Sequence, residues 1–222
     1  AAADVYTSQT IACLLDVAQL YRVSIARQRG VLTMAIRRLS PTIPSLDDLR
    51  LPSICKELVM HPHGLILVTG PAGSGRSTTL AAMVDYVNER RPVHIVTCES
   101  PMEYTFQDKR ALVTQVEIGV DAPSYACAVR AALRQDADVL LVGCADEPET
   151  LEAALMAAES GCLVLTAMHT TGAAITIERL VGAFPPDRQQ HIRSMVADTL
   201  EGILSQMLVP VDSGQGRVAA VE

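Results

Sequence analysis

Aromatic side chains are scarce in this sequence of 222 residues, which contains no Trp, two Phe and five Tyr. Hydrophobic residues nevertheless make up 49% of the chain, so its core must consist of aliphatic side chains. That much apolar surface excludes disorder over most of the length. An aliphatic core is typical of strands that are buried on both faces between layers of helices.

A basic excess is also missing, because the formal net charge is −7 at pH 7. Proteins that bind nucleic acid usually carry a basic patch or stripe, so we expect no nucleic-acid partner. The sequence has no apolar run long enough to cross a membrane, and its N-terminus lacks the basic start of a secretory signal. These absences favour a cytoplasmic protein with no direct membrane span.

The six cysteines lack the spacing of a zinc finger or of a redox motif. They stand at positions 13, 55, 98, 127, 144 and 162. We expect them to be reduced thiols that serve as small core residues.

The first part of the chain is the hardest to interpret. Residues from Ser8 to about position 18 are ambiguous and fit a short helix. Two runs with strand character follow, at 20–26 and 31–37. A turn at Gly30 suits a hairpin between these runs.

The segment SPTIPS at 40–45 contains two prolines and predicts a linker. It divides the chain into a first domain, residues 1–42, and a second domain, residues 43–222. Strands alternate with helices in the second domain, which implies α/β architecture with a mainly parallel sheet and helices on both faces. Strands are predicted at 64–70, 94–99, 111–119, 138–143 and 162–168. Helices are predicted at 51–60, 123–135, 147–161, 172–182 and 187–207, and one more helix is predicted directly after a glycine-rich turn that follows the first strand.

A glycine-rich loop follows the first of these strands and precedes a helix. Its residues match the pattern G-x-x-x-x-G-K-[ST] except at one position, and they are Gly70, Pro71, Ala72, Gly73, Ser74, Gly75, Arg76, Ser77 and Thr78. Successive N–H groups in such a loop form an anion nest, and the positive end of the helix adds to it. The loop predicts ATP binding, with the Ser77 hydroxyl offered to Mg²⁺.

Arg76 stands where this pattern expects Lys. Lys acts there as a compact point charge on the phosphates, whereas Arg is longer, planar and harder to fit inside the loop. We expect weakened nucleotide binding and a larger loss of hydrolysis.

Several segments together resemble the type IV pilus retraction ATPases (PilT-like) within the type II/IV secretion ATPases. They include YRVSIARQRG, the strand and loop GLILVTGPAGSGRSTTL, ESPMEY, SYACAVRAALRQDADVLLVG, MHTTGAA and GRVAAVE. The resemblance runs from Tyr21 to Glu222. It implies a RecA-like P-loop core, preceded by a short remnant of a PAS-like α/β domain in residues 1–42, with the family's C-terminal region lying beyond Glu222.

The resemblance also implies site residues. The family's acidic box reads Glu99-Ser100-Pro101-Met102-Glu103 in this sequence, which makes Glu103 the candidate general base and places Ser100 where the family has Asp. Two arginines of the N-terminal domain act as fingers toward the γ-phosphate in the family, and the matching positions are Arg22 and Arg37.

Two further boxes depart from the family pattern. Cys144 stands in place of the Walker B glutamate, and neither Asp146 nor Glu147 has the same position. In the histidine box Cys162 replaces the first histidine, while the second is kept as His169.

Three functions remain open. The first is an active hexameric motor that retracts pili and contacts a platform protein of the inner membrane. The second is a catalytically impaired nucleotide-binding or structural relative, because Arg76, Ser100, Cys144 and Cys162 all depart from the family. The third is a metal-binding module built from Cys98, Cys144 and His169, since zinc favours such ligands.

Overall fold

Three antiparallel strands open the computed structural model, which describes residues 9–16, 19–38, 42–211 and 216–222. They are β1 (Gln9–Asp16), β2 (Gln19–Gln28) and β3 (Val31–Arg38), in the order β1-β2-β3. The hairpin predicted through Gly30 is confirmed, because β2 and β3 pair antiparallel across a turn with positive φ at both of its residues.

The short helix expected in the first twenty residues is wrong over Gln9–Asp16. This segment is a strand that pairs antiparallel with β2. Pairing with a neighbouring strand satisfies every second backbone group and overrides a weak local helix preference. Ser8, where the helix was expected to begin, lies outside the described residues, as do residues 40 and 41 of the expected linker.

The chain divides into two units, Ala1–Ile43 with Pro101–Thr105, and Pro44–Ser100 with Phe106–Glu222. The second unit alternates strands and helices as α/β folds do. Its elements are α1 (Ile54–Leu58), β4 (Gly64–Thr69), α2 (Arg76–Arg90), β5 (His94–Glu99), β6 (Leu112–Glu117), α3 (Tyr125–Leu133), β7 (Val139–Val142), α4 (Pro148–Glu159), β8 (Leu163–Met168), α5 (Ala173–Gly182), α6 (Pro186–Thr199), β9 (Leu200–Pro210) and β10 (Arg217–Val221).

One mixed sheet of seven strands forms the centre of this unit, in the order β10-β9-β4-β8-β7-β5-β6. All neighbouring pairs are parallel except β9 with β10. β4, β7 and β8 are buried along their whole length, and their side chains are mainly Val, Leu and Ile. The aliphatic core expected from the composition is therefore present, and the carboxyl ends of the parallel strands meet at one edge of the sheet.

The helix predicted over 187–207 is correct only as far as Thr199. The following residues form β9, which pairs parallel with β4 and antiparallel with β10. Two sheet partners supply backbone hydrogen bonds along β9. Leu204 and Gln206 are buried and stand two residues apart, which is the period of a strand. Among the helices that the structure describes, none has both the length and the apolar character of a membrane span.

Candidate functional site

The glycine-rich loop joins the carboxyl end of β4 to the start of α2. Gly70, Gly73 and Gly75 all have positive φ, of 149°, 77° and 91°. At Gly70 the backbone passes so close to β9 that a Cβ would lie 2.2 Å from the carbonyl oxygen of Gln206. Only glycine fits both that φ and that contact, so the sequence at this position determines the path of the loop.

The N-terminus of α2 is open toward solvent. Its N-cap is Gly75, which has no side chain with which to cap the first turn. A 15-residue helix therefore presents its positive end and its first backbone N–H groups at the loop. Ser77 is exposed in this first turn, whereas Ser74 is buried within the loop. The arrangement is that of an anion cradle made from backbone groups.

Gln206 supports the loop from β9. Its side-chain amide is buried and donates a 2.7 Å hydrogen bond to the carbonyl oxygen of Ser74. Sequence analysis missed this residue because the segment was assigned to a helix. The signal that could have found it is a single amide inside an otherwise apolar stretch with strand-like alternation.

The guanidinium of Arg76 bonds to main-chain carbonyls. Nη1 donates hydrogen bonds of 2.8 Å to the carbonyl oxygen of Gly70 and of 2.7 Å to that of Met168. Burial lowers the pKa of Arg76, and the nearby Cys144 and Asp146 oppose that shift. The charge at the expected lysine position is therefore held by main-chain carbonyls at the ends of β4 and β8.

A cavity of about 650 Å³ lies beside the start of α2, within the size range of small-molecule sites. Its walls include Arg50, Gly75, Thr78, Gln206 and Arg217. The cavity thus shares residues with the glycine-rich loop and with the strand that supports it.

Cys144, Asp146 and His169 meet where β7 and β8 end. The Cys144 thiol lies 3.1 Å from Asp146 Oδ2 and 3.8 Å from His169 Nδ1, and the same carboxylate oxygen makes a short contact with that ring nitrogen. Burial and the hydrogen bond with Asp146 raise the pKa of Cys144 to about 12. Burial alone would raise the pKa of Asp146, but the hydrogen bonds with Cys144 and His169 lower it.

The expected metal ligands are brought together only in part. Cys98 is fully buried in β5 and does not belong to the group of ligand atoms, whereas Asp146 does. Cys162 lies at the opposite edge of the sheet, as its place before β8 implied, and its buried thiol donates to the carbonyl oxygen of Ala137. Asp146 was not expected to contact His169, because their proximity depends on the pairing of β7 with β8.

The remaining candidates lie together in the first unit. Arg22 Nη1 donates a 3.1 Å hydrogen bond to Glu103 Oε1, and both side chains are partly exposed. Arg22 and Arg37 are direct partners across β2 and β3, so their side chains leave the same face of this sheet. Two like charges on one face repel each other, which favours a site for an anion or a carboxylate there.

Comparisons with known proteins identify the family of this chain. Residues 40–220 match the family model described as "Type II/IV secretion system protein". A "Twitching motility protein" of Neisseria gonorrhoeae is 47% identical over 186 residues, which are 84% of this chain and 50% of that protein. The "Type IV pilus retractation ATPase PilT" of Pseudomonas aeruginosa is 42% identical over 202 residues, which are 91% of this chain and 58% of that protein.

A solved structure titled "Crystal Structure of the Pilus Retraction Motor PilT and Bound ADP" superposes with a TM-score of 0.92 at 44% identity, covering 97% of this chain and 62% of that one. The chain thus spans about half to three fifths of the length of these relatives. Since the family model covers most of the chain and the relatives are similar along nearly all of it, the chain belongs to the type II/IV secretion system protein family.

Proposed function

We propose that this chain is an ATP-binding motor subunit of the type IV pilus machinery, related to the ATPases that couple ATP hydrolysis to pilus retraction. The observation that carries the proposal is the glycine-rich loop, which leads into an uncapped helix N-terminus beside a cavity of about 650 Å³. The relatives named for twitching motility and pilus retraction support it.

The loop residues fit a nucleoside triphosphate. Backbone N–H groups of the loop and of the first turn of α2 would bind the phosphates; these residues are Gly70, Ala72, Gly73, Ser74, Gly75, Arg76, Ser77 and Thr78. The exposed Ser77 hydroxyl is an oxygen ligand of the kind that Mg²⁺ accepts together with phosphate oxygens. Cys144 offers a thiol where a carboxylate is expected, and thiols are poor ligands for Mg²⁺.

The candidate catalytic residues would act on the reacting phosphate. Glu103 would orient the attacking water as general base, and Arg22 and Arg37 would stabilise negative charge in the transition state. The ion pair between Arg22 and Glu103 supports this assignment, because it holds one arginine beside the carboxylate. His169 is the fourth candidate, at the end of β8.

The proposal extends to assembly. By analogy with its family the chain would form a homo-hexamer in the cytoplasm, at the inner-membrane pilus machinery, with a platform protein as its partner and with no nucleic-acid partner. Residues 1–42 would belong to a PAS-like domain ahead of the ATPase domain, residues 43–222.

A catalytically impaired relative is the second candidate, and the hydrogen bonds of Arg76 favour it specifically. Because Nη1 of Arg76 donates to the carbonyls of Gly70 and Met168, the phosphates would have to compete with these main-chain partners for the cation. Loss of one charge-assisted contact in a transition state costs a few kcal/mol, or about 100-fold in rate.

Single-turnover release of phosphate from Mg-ATP separates these two candidates, while calorimetry measures binding of ATP itself. Turnover similar to that of an active family member would establish the motor and overturn the impaired relative. Binding without turnover would establish the impaired relative. Absence of nucleotide binding to the full chain would overturn both.

The double variant Arg76→Lys with Cys144→Glu tests whether the rest of the site is intact. We expect it to raise turnover by about 100-fold if the two replaced charges are the only defects. No increase would place the defect elsewhere in the site. Arg134→Lys with Cys127→Ala is a matched control, because both residues lie on or directly after α3 and neither belongs to the glycine-rich loop.

A further inference from the structure

We propose that Cys144, Asp146 and His169 form a binding site for a zinc-like transition-metal ion. This group unites a thiol, a carboxylate oxygen and an imidazole nitrogen, whose ligand atoms all lie within 4.8 Å of one another. The group borders the glycine-rich loop, because Arg76 lies near Cys144 and Asp146, but the inference does not rest on nucleotide binding.

The distances suit one small cation. With zinc bonds of about 2.3 Å to sulfur and about 2.0 Å to nitrogen or oxygen, tetrahedral ligand atoms stand about 3.3–3.6 Å apart. Cys144 Sγ lies 3.1 Å from Asp146 Oδ2 and 3.8 Å from His169 Nδ1. The short contact between Asp146 Oδ2 and His169 Nδ1 would have to open to admit an ion, which rotation of these two partly exposed side chains allows. Three protein ligands leave the fourth position for water.

The backbone holds these ligands in place. Asp146 Oδ1 accepts a 3.2 Å hydrogen bond from the N–H of His169, which leaves Oδ2 for the ion. The N–H of Ala145 donates a 3.0 Å hydrogen bond to the carbonyl oxygen of Ala167, which ties the segment after β7 to the end of β8. A carboxylate whose second oxygen is already bonded is a preorganised metal ligand.

The same geometry argues against a nucleophilic cysteine. In a Cys-His-Asp triad the cysteine and the carboxylate contact opposite nitrogens of the imidazole. In this group the thiol and the carboxylate both approach Nδ1 of His169. Convergence of three ligand atoms on one point is what a metal ion requires.

The chemistry of the ligands determines the class of ion. A thiolate excludes Mg²⁺ and Ca²⁺, which prefer oxygen, and selects zinc and similar metals. Binding would release the thiol proton to solvent, so the thiolate and carboxylate together balance the two charges of the ion. His169 is 49% exposed and Asp146 29% exposed, so an ion can reach the site.

Cobalt(II) is the probe of choice, because a thiolate bound to cobalt gives a charge-transfer band that oxygen ligands do not give. The full chain, freed of metal with a chelator, reduced and without nucleotide, would be titrated with Co²⁺ and then with Zn²⁺ by calorimetry. We expect one equivalent to bind, with the thiolate band, and excess Mg²⁺ not to displace it.

The variants Cys144→Ser and His169→Ala should each weaken binding more than about 100-fold, since the loss of an outer partner alone costs about 10- to 100-fold. Cys127→Ser and His191→Ala are controls, because Cys127 lies on α3 and His191 is exposed on α6, and both should bind as the parent does. Circular dichroism would confirm that each variant is folded. The proposal is overturned by a cobalt spectrum without the thiolate band, or by a folded Cys144→Ser variant that binds with unchanged affinity.

Discussion

Arg76 Nη1 donates a 2.7 Å hydrogen bond to the carbonyl oxygen of Met168, the last residue of β8. Arg76 occupies the position that is expected to face the phosphates, and this hydrogen bond joins its side chain to β8, the neighbour of β4 in the sheet. Guanidinium groups suit this arrangement, because their several N–H groups can reach two carbonyls at once. Arg76 keeps the positive charge of the expected Lys, and its Nη1 bonds to two main-chain carbonyls.

Arg76→Lys should therefore increase affinity for ATP. A shorter ammonium group cannot keep both carbonyl contacts, and a hydrogen bond from a charged group to phosphate contributes about 1.5–3 kcal/mol. We expect the Kd for ATP, measured by calorimetry, to fall about tenfold or more. Arg134→Lys, at the end of α3, is the matched control. An unchanged Kd for Arg76→Lys would mean that position 76 does not determine affinity.

Glu103→Gln should reduce phosphate release in a single turnover by about 100-fold or more, because general-base catalysis contributes about 10²–10⁴-fold. The Kd for ATP should stay the same. Stability should change by less than about 1 kcal/mol, since the ion pair with Arg22 is partly exposed to solvent. Glu159→Gln, exposed at the end of α4, serves as the control. Equal rates for Glu103→Gln and the parent would remove Glu103 from the mechanism.

Local patterns were sufficient for the parts of the fold that depend on near neighbours. The glycine-rich loop follows an apolar run and precedes a helical one, and the turn at Gly30 lies between two strand-like runs, so both could be predicted from the sequence. β9 could not, because its strand conformation depends on β4, which lies more than a hundred residues earlier. Contacts that depend on such pairing, such as that between Asp146 and His169, carry no signal in sequence spacing.

Gln206→Met tests the support that β9 gives to the loop. Met is close in size to Gln, so the substitution removes the hydrogen bond to Ser74 without opening a large cavity. Leaving a buried acceptor unpaired costs about 1–3 kcal/mol, which we expect as a loss of stability in urea denaturation. ATP affinity should fall as well, because the loop is less well held. Gln190→Met, exposed on α6, should change neither quantity. If both variants behave alike, the hydrogen bond to Ser74 contributes nothing to the loop.

Gly70→Ala tests whether the path of the loop depends on glycine. The new Cβ would lie 2.2 Å from the carbonyl oxygen of Gln206. The φ angle of Gly70 is 149°, a backbone conformation that is strained for any residue with a side chain. Because both partners of this contact are fixed, we expect the free energy of unfolding to fall by at least about 2 kcal/mol and ATP binding to be lost.

Gly182→Ala is the control for this substitution. Gly182 ends α5 with no positive φ and with open space around its Cβ, so alanine should be neutral or stabilising by up to about 1 kcal/mol. Urea denaturation of both variants measures the difference. If Gly70→Ala proved as stable as Gly182→Ala, the close approach of the loop to β9 would be incorrect, and the cradle for phosphate would have to be formed in another way.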